Sequence, residues 1–113
     1  MDIILANDKL AKVFNNHRLL VREYGDLQAQ RIRRRLDELR AADTLEDVRH
    51  LPQARCHELK GDLAGLLSVD LVHPYRLLFA PAEDPLPTKP DGGLDWTRVA
   101  AVIIVEVKDT HAR

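Results

Sequence analysis

The apolar residues change period twice along the chain. Asp2–Ala6 (DIILA) is a short β-branched run and predicts a strand closed by Asn7 or Asp8, both of which suit the N-cap of a following helix. From Lys9 the apolar positions are Leu10, Val13, Phe14, then Leu19 or Leu20 and Tyr24. That is helical spacing with a slip near Asn15 and Asn16, and Gly25 ends it. The clearest element is a second helix over Leu27–Ala41, where Ala29, Ile32, Leu36 and Leu39 form one stripe. On its other faces Arg33, Arg34 and Arg35 each find Asp37 or Glu38 three or four positions on, pairs worth ~0.2–0.5 kcal/mol each on an exposed helix. Tyr24-Gly25-Asp26 joins the two helices into a hairpin. Asp43–Arg49 predicts one more helical turn, capped by Asp43 or Thr44, and Pro52 begins an extended approach.

Beyond residue 55 the spacing turns strand-like. Cys56–Lys60 alternates loosely with Leu59 as the inward candidate, Gly61-Asp62 opens a turn, and Gly65 closes it. Leu66–Leu71 and Tyr75–Ala80 read as two strands joined at Val72-His73-Pro74. Pro81–Arg98 carries four of the six prolines and Gly92-Gly93, which predicts a long, mobile polar loop. Val99–Val107 is apolar on both faces until Glu106, as in a central strand, and Asp109–Arg113 is a short exposed tail. A helical hairpin followed by consecutive strands predicts an α+β fold in one domain, 1–113, with helices on one face of one sheet.

Composition narrows the class without naming a function. A chain of 113 residues, 45% hydrophobic and 31% charged, fits one globular domain and excludes a disordered or fibrous protein. The net charge of -1 gives no reason to expect a polyanion partner, but its distribution is uneven. Residues 9–40 hold nine Lys/Arg against four Asp/Glu, whereas 41–113 hold eight against twelve. The basic helical half is either a nucleic-acid or acidic-protein face or a solvated surface. Cys56 is the single cysteine, and the five histidines lack metal-ligand spacing, which argues against a disulfide or a metal site. MDIILAND is too short and acidic for a signal peptide, and the longest apolar run, Val99–Val105, is far below the ~20 residues a membrane span needs. A cytoplasmic protein is expected.

Order and spacing in the strand region carry a resemblance. HELKGDLAG followed by LSVDLVHPYRLLFAP, with a helical hairpin before it and an apolar strand ending in Asp109-x-His111 after it, resembles the HigB branch of the RelE/ParE toxin superfamily. The pieces that carry it are Leu59-Lys60-Gly61, the Gly65 spacing, Ser68, Tyr75-Arg76 and the terminal Asp109 and His111. The resemblance covers essentially the whole chain. It implies a RelE-like fold, with the hairpin packed on one small twisted antiparallel sheet. It implies a killer protein of a bacterial toxin–antitoxin module, a ribosome-dependent endoribonuclease that cuts mRNA without metal or cofactor. The implied partners are a cognate antitoxin, of helix-turn-helix type, together with the ribosome and mRNA. Two positions depart from the family pattern. Asp70 stands where many relatives carry arginine, and Thr110 where they often carry tyrosine.

The chemistry fixes what such a site needs. Cutting RNA through its own 2′-hydroxyl takes a base at that hydroxyl, cations at the phosphate oxygens and an acid at the leaving oxygen. Arg76 is the candidate for the phosphate, since a guanidinium stays charged and forks onto two oxygens; its alternative is a strand ion pair with Asp70 or Glu58. Lys60 is a second cation or plain solvated charge. His57 and His111 are the candidate base and acid, or a structural histidine and a tail residue. Arg31, Arg34 and Arg35, with Tyr75, are candidate RNA-binding residues, the helix arginines serving an antitoxin equally well. Asp70 and Thr110 also leave two other readings open: a ParE-like toxin that binds a protein such as DNA gyrase without cutting RNA, or an inactive antitoxin-binding homologue.

Overall fold

Residues 9–24 read as one helix by their spacing but form two, because consecutive asparagines stop one turn and start the next. In the computed structural model, which describes residues 1–110, α1 (Asp8–Phe14) ends at Asn15 and α2 (His17–Tyr24) begins from Asn16. The Asn16 side chain accepts the Leu19 N–H at 3.2 Å, as Asn7 does for Leu10 at 2.8 Å at the start of α1. Phe14 and Tyr24 then meet edge to face, with ring centroids 6.3 Å apart, folding α1 against α2. Gly25 supplies φ +83 between α2 and α3 (Asp26–Ala41). The further turn predicted over Asp43–Arg49 is α4 (Leu45–Arg49), and the Asp47 carboxylate accepts the N–H groups of Asp43 and Thr44. Among the described residues no helix is long and apolar enough to cross a membrane.

The strands are β1 (Asp2–Leu5), β2 (His57–Glu58), β3 (Leu67–Asp70), β4 (Tyr75–Pro81) and β5 (Ala101–Asp109), in the order β1-β5-β4-β3-β2. β2 to β5 pair antiparallel, as expected. β1 corrects the expectation of a wholly antiparallel sheet, because it lies parallel to β5, with Asp2 opposite Ala101 and Leu5 opposite Ile104. Its long connection permits this direction: β1 and β5 are joined through all the helices and the meander, a crossover rather than a hairpin. β2 keeps two residues because the chain turns at Gly61 (φ +64), after the Leu59 N–H has donated to Leu66 O at 2.9 Å. β5 begins at Ala101 because Val99 is engaged elsewhere, its carbonyl accepting from the Leu45 N–H at 2.9 Å.

The helices cover one face of this sheet. Ala29, Ile32, Leu36 and Leu39, the predicted stripe of α3, are all buried, together with Leu45 and Val48 of α4 and with Leu67, Val69, Leu77, Phe79, Val102 and Ile104 from the strands. The α+β reading therefore holds at the level of helices layered on one sheet. The connection 82–100 is held at several points rather than running as a free loop. Glu83 accepts the Ala100 N–H at 2.7 Å, Thr88 bridges Leu94, and residues 96–98 form a 3-10 turn. Asp95 accepts from Thr97 and Arg98, bonds that lower the pKa of its carboxyl, and Trp96 plugs into the helical layer. The indole N–H donates to Glu58 Oε2 at 3.0 Å, and the Arg49 guanidinium lies 3.8 Å from the ring centroid.

Two polar side chains of α3, seven residues apart and hence on one face, reach the far end of β3. Gln28 accepts the Val72 N–H at 2.9 Å and donates to Val72 O at 3.3 Å, closing the β3–β4 turn with one amide. Arg35 donates to Asp70 O at 2.7 Å, to Gln53 O at 2.8 Å and to Glu38 Oε1 at 3.0 Å. Gln28→Ala leaves a backbone donor and acceptor without the amide. It is expected to cost about 1–3 kcal/mol in urea denaturation, and a loss below about 0.5 kcal/mol would show that water replaces the clamp.

Candidate functional site

Register decides which strand residues meet on the face away from the helices. His57 lies opposite Ser68, Ser68 opposite Leu78, and Asp70 opposite Arg76, so all five share that face. Arg76 is central. Its Nη1 is 3.3 Å from His57 Nε2, and its Nε is 3.6 Å from Asp70 Oδ1. On the other side of the carboxylate, Arg55 Nη1 is 3.5 Å from Asp70 Oδ2. Arg55 also sets the histidine, because its carbonyl oxygen lies 2.9 Å from His57 Nδ1. A carbonyl only accepts, so Nδ1 carries a proton; a guanidinium only donates, so Nε2 presents its lone pair to Arg76. Both neighbours therefore select the same neutral tautomer, with the basic nitrogen turned towards the cation.

Arg55 does this from a left-handed backbone conformation, φ +47, which is uncommon for a residue with a Cβ and costs of order 1–2 kcal/mol. Asp70 is held through its main chain, its N–H donating to Ala54 O at 2.7 Å while its carbonyl takes the Arg35 bond. Arg55, Asp70, His73, Tyr75 and Arg76 line a cleft of about 150 Å³ there. Two guanidinium groups against one carboxylate give it a positive excess, so it suits an anion.

The expected site residues divide accordingly. Arg76 and His57 come together, and the alternative reading of Arg76 is realised at the same time by its ion pair with Asp70. Tyr75, 46% exposed, stands at the rim of the cleft. Lys60 is exposed just before the 3-10 turn at 61–63, and no hydrogen bond or ion pair joins it to the cluster among the described residues. His111 lies outside the described residues. Arg31 is partly exposed and Arg34 exposed on α3. Arg35 requires a correction: it is only 3% exposed, and its guanidinium is spent on Asp70, Gln53 and Glu38, so it holds the scaffold instead of facing RNA. Arg55 escaped notice, since an arginine outside any strand carries no signal of a left-handed turn.

Other reactive groups are quiet. Burial pushes the Cys56 thiol up to about 12, a shift that nearby Glu58 reinforces and Arg49 opposes, so it stays protonated near neutrality. Among the described residues no three His, Cys, Asp or Glu side chains are grouped to hold a metal ion. Ser68 is fully buried, and its hydroxyl has no hydrogen-bond partner among them. Compared with known proteins, the chain matches no family model, and no curated protein matches it significantly.

Proposed function

We propose that the protein is the toxin of a toxin–antitoxin module, a metal-independent endoribonuclease acting on mRNA at the ribosome, with the Arg76–His57 pair at its centre. The observation that supports this most is the 3.3 Å contact between a permanent cation and the lone pair of a histidine whose tautomer is fixed from behind. In the resting site Arg76 occupies that lone pair. A bound phosphodiester draws the guanidinium onto its non-bridging oxygens, and His57 Nε2 is then released to take the proton of the neighbouring 2′-hydroxyl. The oxygen attacks phosphorus, a 2′,3′-cyclic phosphate forms, and the 5′-oxygen leaves with a proton. Lys60 and His111 are the proposed second cation and acid, Tyr75 stacks on a base at the rim, and Arg31 and Arg34 serve RNA or the antitoxin.

Expression of the wild type and of Arg76→Ala, with mapping of mRNA 5′ ends, tests this. Growth arrest with new cuts in translated messages is expected. Loss of one charge-stabilising donor lowers cleavage by about 10²–10³-fold in the variant. Cuts that persist undiminished in Arg76→Ala would sink the assignment. Arrest without cuts supports the second reading, a protein-binding toxin of ParE type, which draws its own support from a carboxylate pairing with both arginines of the cleft.

A further inference from the structure

Asp70 is an odd tenant for a cleft of this charge. It lies between Arg55 and Arg76 at 3.5 and 3.6 Å, within ion-pair range but well outside the 2.7–2.9 Å at which guanidinium and carboxylate fork together. Its Oδ1 is buried without a hydrogen-bond partner among the described residues. The side chain is therefore held by charge rather than by matched bonds, while its main chain is anchored independently by Ala54 and Arg35. Arg55 contributes to both halves of the arrangement, its guanidinium facing the carboxylate and its strained backbone fixing His57. A phosphate oxygen in place of Oδ1 and Oδ2 meets the same two cations and leaves the anchors untouched.

We infer that the Asp70 carboxylate is a built-in occupant of an anion site formed by Arg55 and Arg76 beside His57, and that an RNA phosphodiester enters by displacing it. The inference rests on the reading of this cleft as an RNA site, and it adds Arg55 as a second phosphate ligand and Asp70 as the gate. Displacement leaves the carboxylate beside the incoming phosphate, so Asp70 sets how tightly RNA is held.

Binding is measured apart from cleavage, by fluorescence anisotropy with a short oligoribonucleotide whose 2′-hydroxyls are methylated. Asp70→Asn, which keeps size and backbone, is expected to tighten binding roughly tenfold at low salt. Asp70→Ser does the same, and adding Arg55→Ala returns most of the gain. Asp91→Asn, a remote neutralisation in the 82–100 connection, serves as the control for net charge. Equal affinity of wild type and both Asp70 variants overturns the inference, as does the same gain in Asp91→Asn. Titration of the same proteins with inorganic phosphate, followed by the His57 ring resonances, separates the two readings. Tighter phosphate without RNA binding upholds the anion site and removes RNA as its ligand. RNA cleavage by the wild type with no tightening in either Asp70 variant keeps the nuclease and discards the gate.

Discussion

Arg35→Ala should be the most damaging single substitution on the helical layer, costing about 3–5 kcal/mol, the range for breaking one side of a buried ion pair. The side chain joins three segments: Glu38 on its own helix, Gln53 before β2, and Asp70 at the end of β3. Removing it deprives the Asp70 and Gln53 carbonyls of the guanidinium, along with the Glu38 carboxylate, which Gln53 then holds alone through its 3.0 Å bond. For a chain of this size the loss corresponds to a fall of roughly 10–20 °C in Tm. Arg35→Lys does not rescue it, since a point charge cannot reach three acceptors set apart by a planar fork. Glu38→Ala added to Arg35→Ala restores part of the stability by removing the uncompensated charge. If Arg35→Ala melts within 3 °C of the wild type, the network is decoration and the anchoring of Asp70 must lie elsewhere.

Trp96→Ala comes next, also at about 3–5 kcal/mol, because a large side chain leaves a cavity that the neighbours close only in part. The indole is 5% exposed, and it is the largest side chain that the 82–100 connection contributes to the core, alongside Val99. Trp96→Phe separates the two roles. It keeps most of the volume and the ring beneath Arg49 but removes the donor to Glu58, for an expected loss of about 1–3 kcal/mol. Both are read by urea denaturation. Should Trp96→Phe cost as much as Trp96→Ala, the hydrogen bond rather than the packing holds the connection in place.

The stripe of α3 was legible because Ala29, Ile32, Leu36 and Leu39 are apolar and repeat at the helical period. Arg35 was not, because an i,i+3 pair with Glu38 has the same spacing whether solvent or protein surrounds it. Its place one turn from Ile32 and Leu39 was the available hint. The meeting of Asp70 with Arg76 could be anticipated from a meander whose two strands flank a short turn, since cross-strand neighbours then follow from counting. The conformation of Arg55 is set by the approach to β2 and leaves no trace in residue type. The pairing of β1 was equally hidden: DIILA announces a strand, but a partner near the other end of the chain is chosen by tertiary packing. Trp96 stands between polar neighbours, Asp95 and Thr97, so the burial that fixes the 82–100 connection has no period to reveal it.

That pairing of β1 with β5 has a consequence for how the molecule comes into being. β1 is made before any helix, yet the hydrogen bonds of Asp2–Leu5 wait on residues from Ala101 onward. Among the described residues, closing so long a loop carries the largest entropic cost of any strand pairing. The helices and the β3–β4 hairpin can form from local contacts while synthesis continues, and the outermost ladder zips last. Until then the core-facing residues Ile3 and Leu5 lack their neighbours Val102 and Ile104. The nascent chain therefore shows a fresh apolar edge during the interval in which it is least able to cover one.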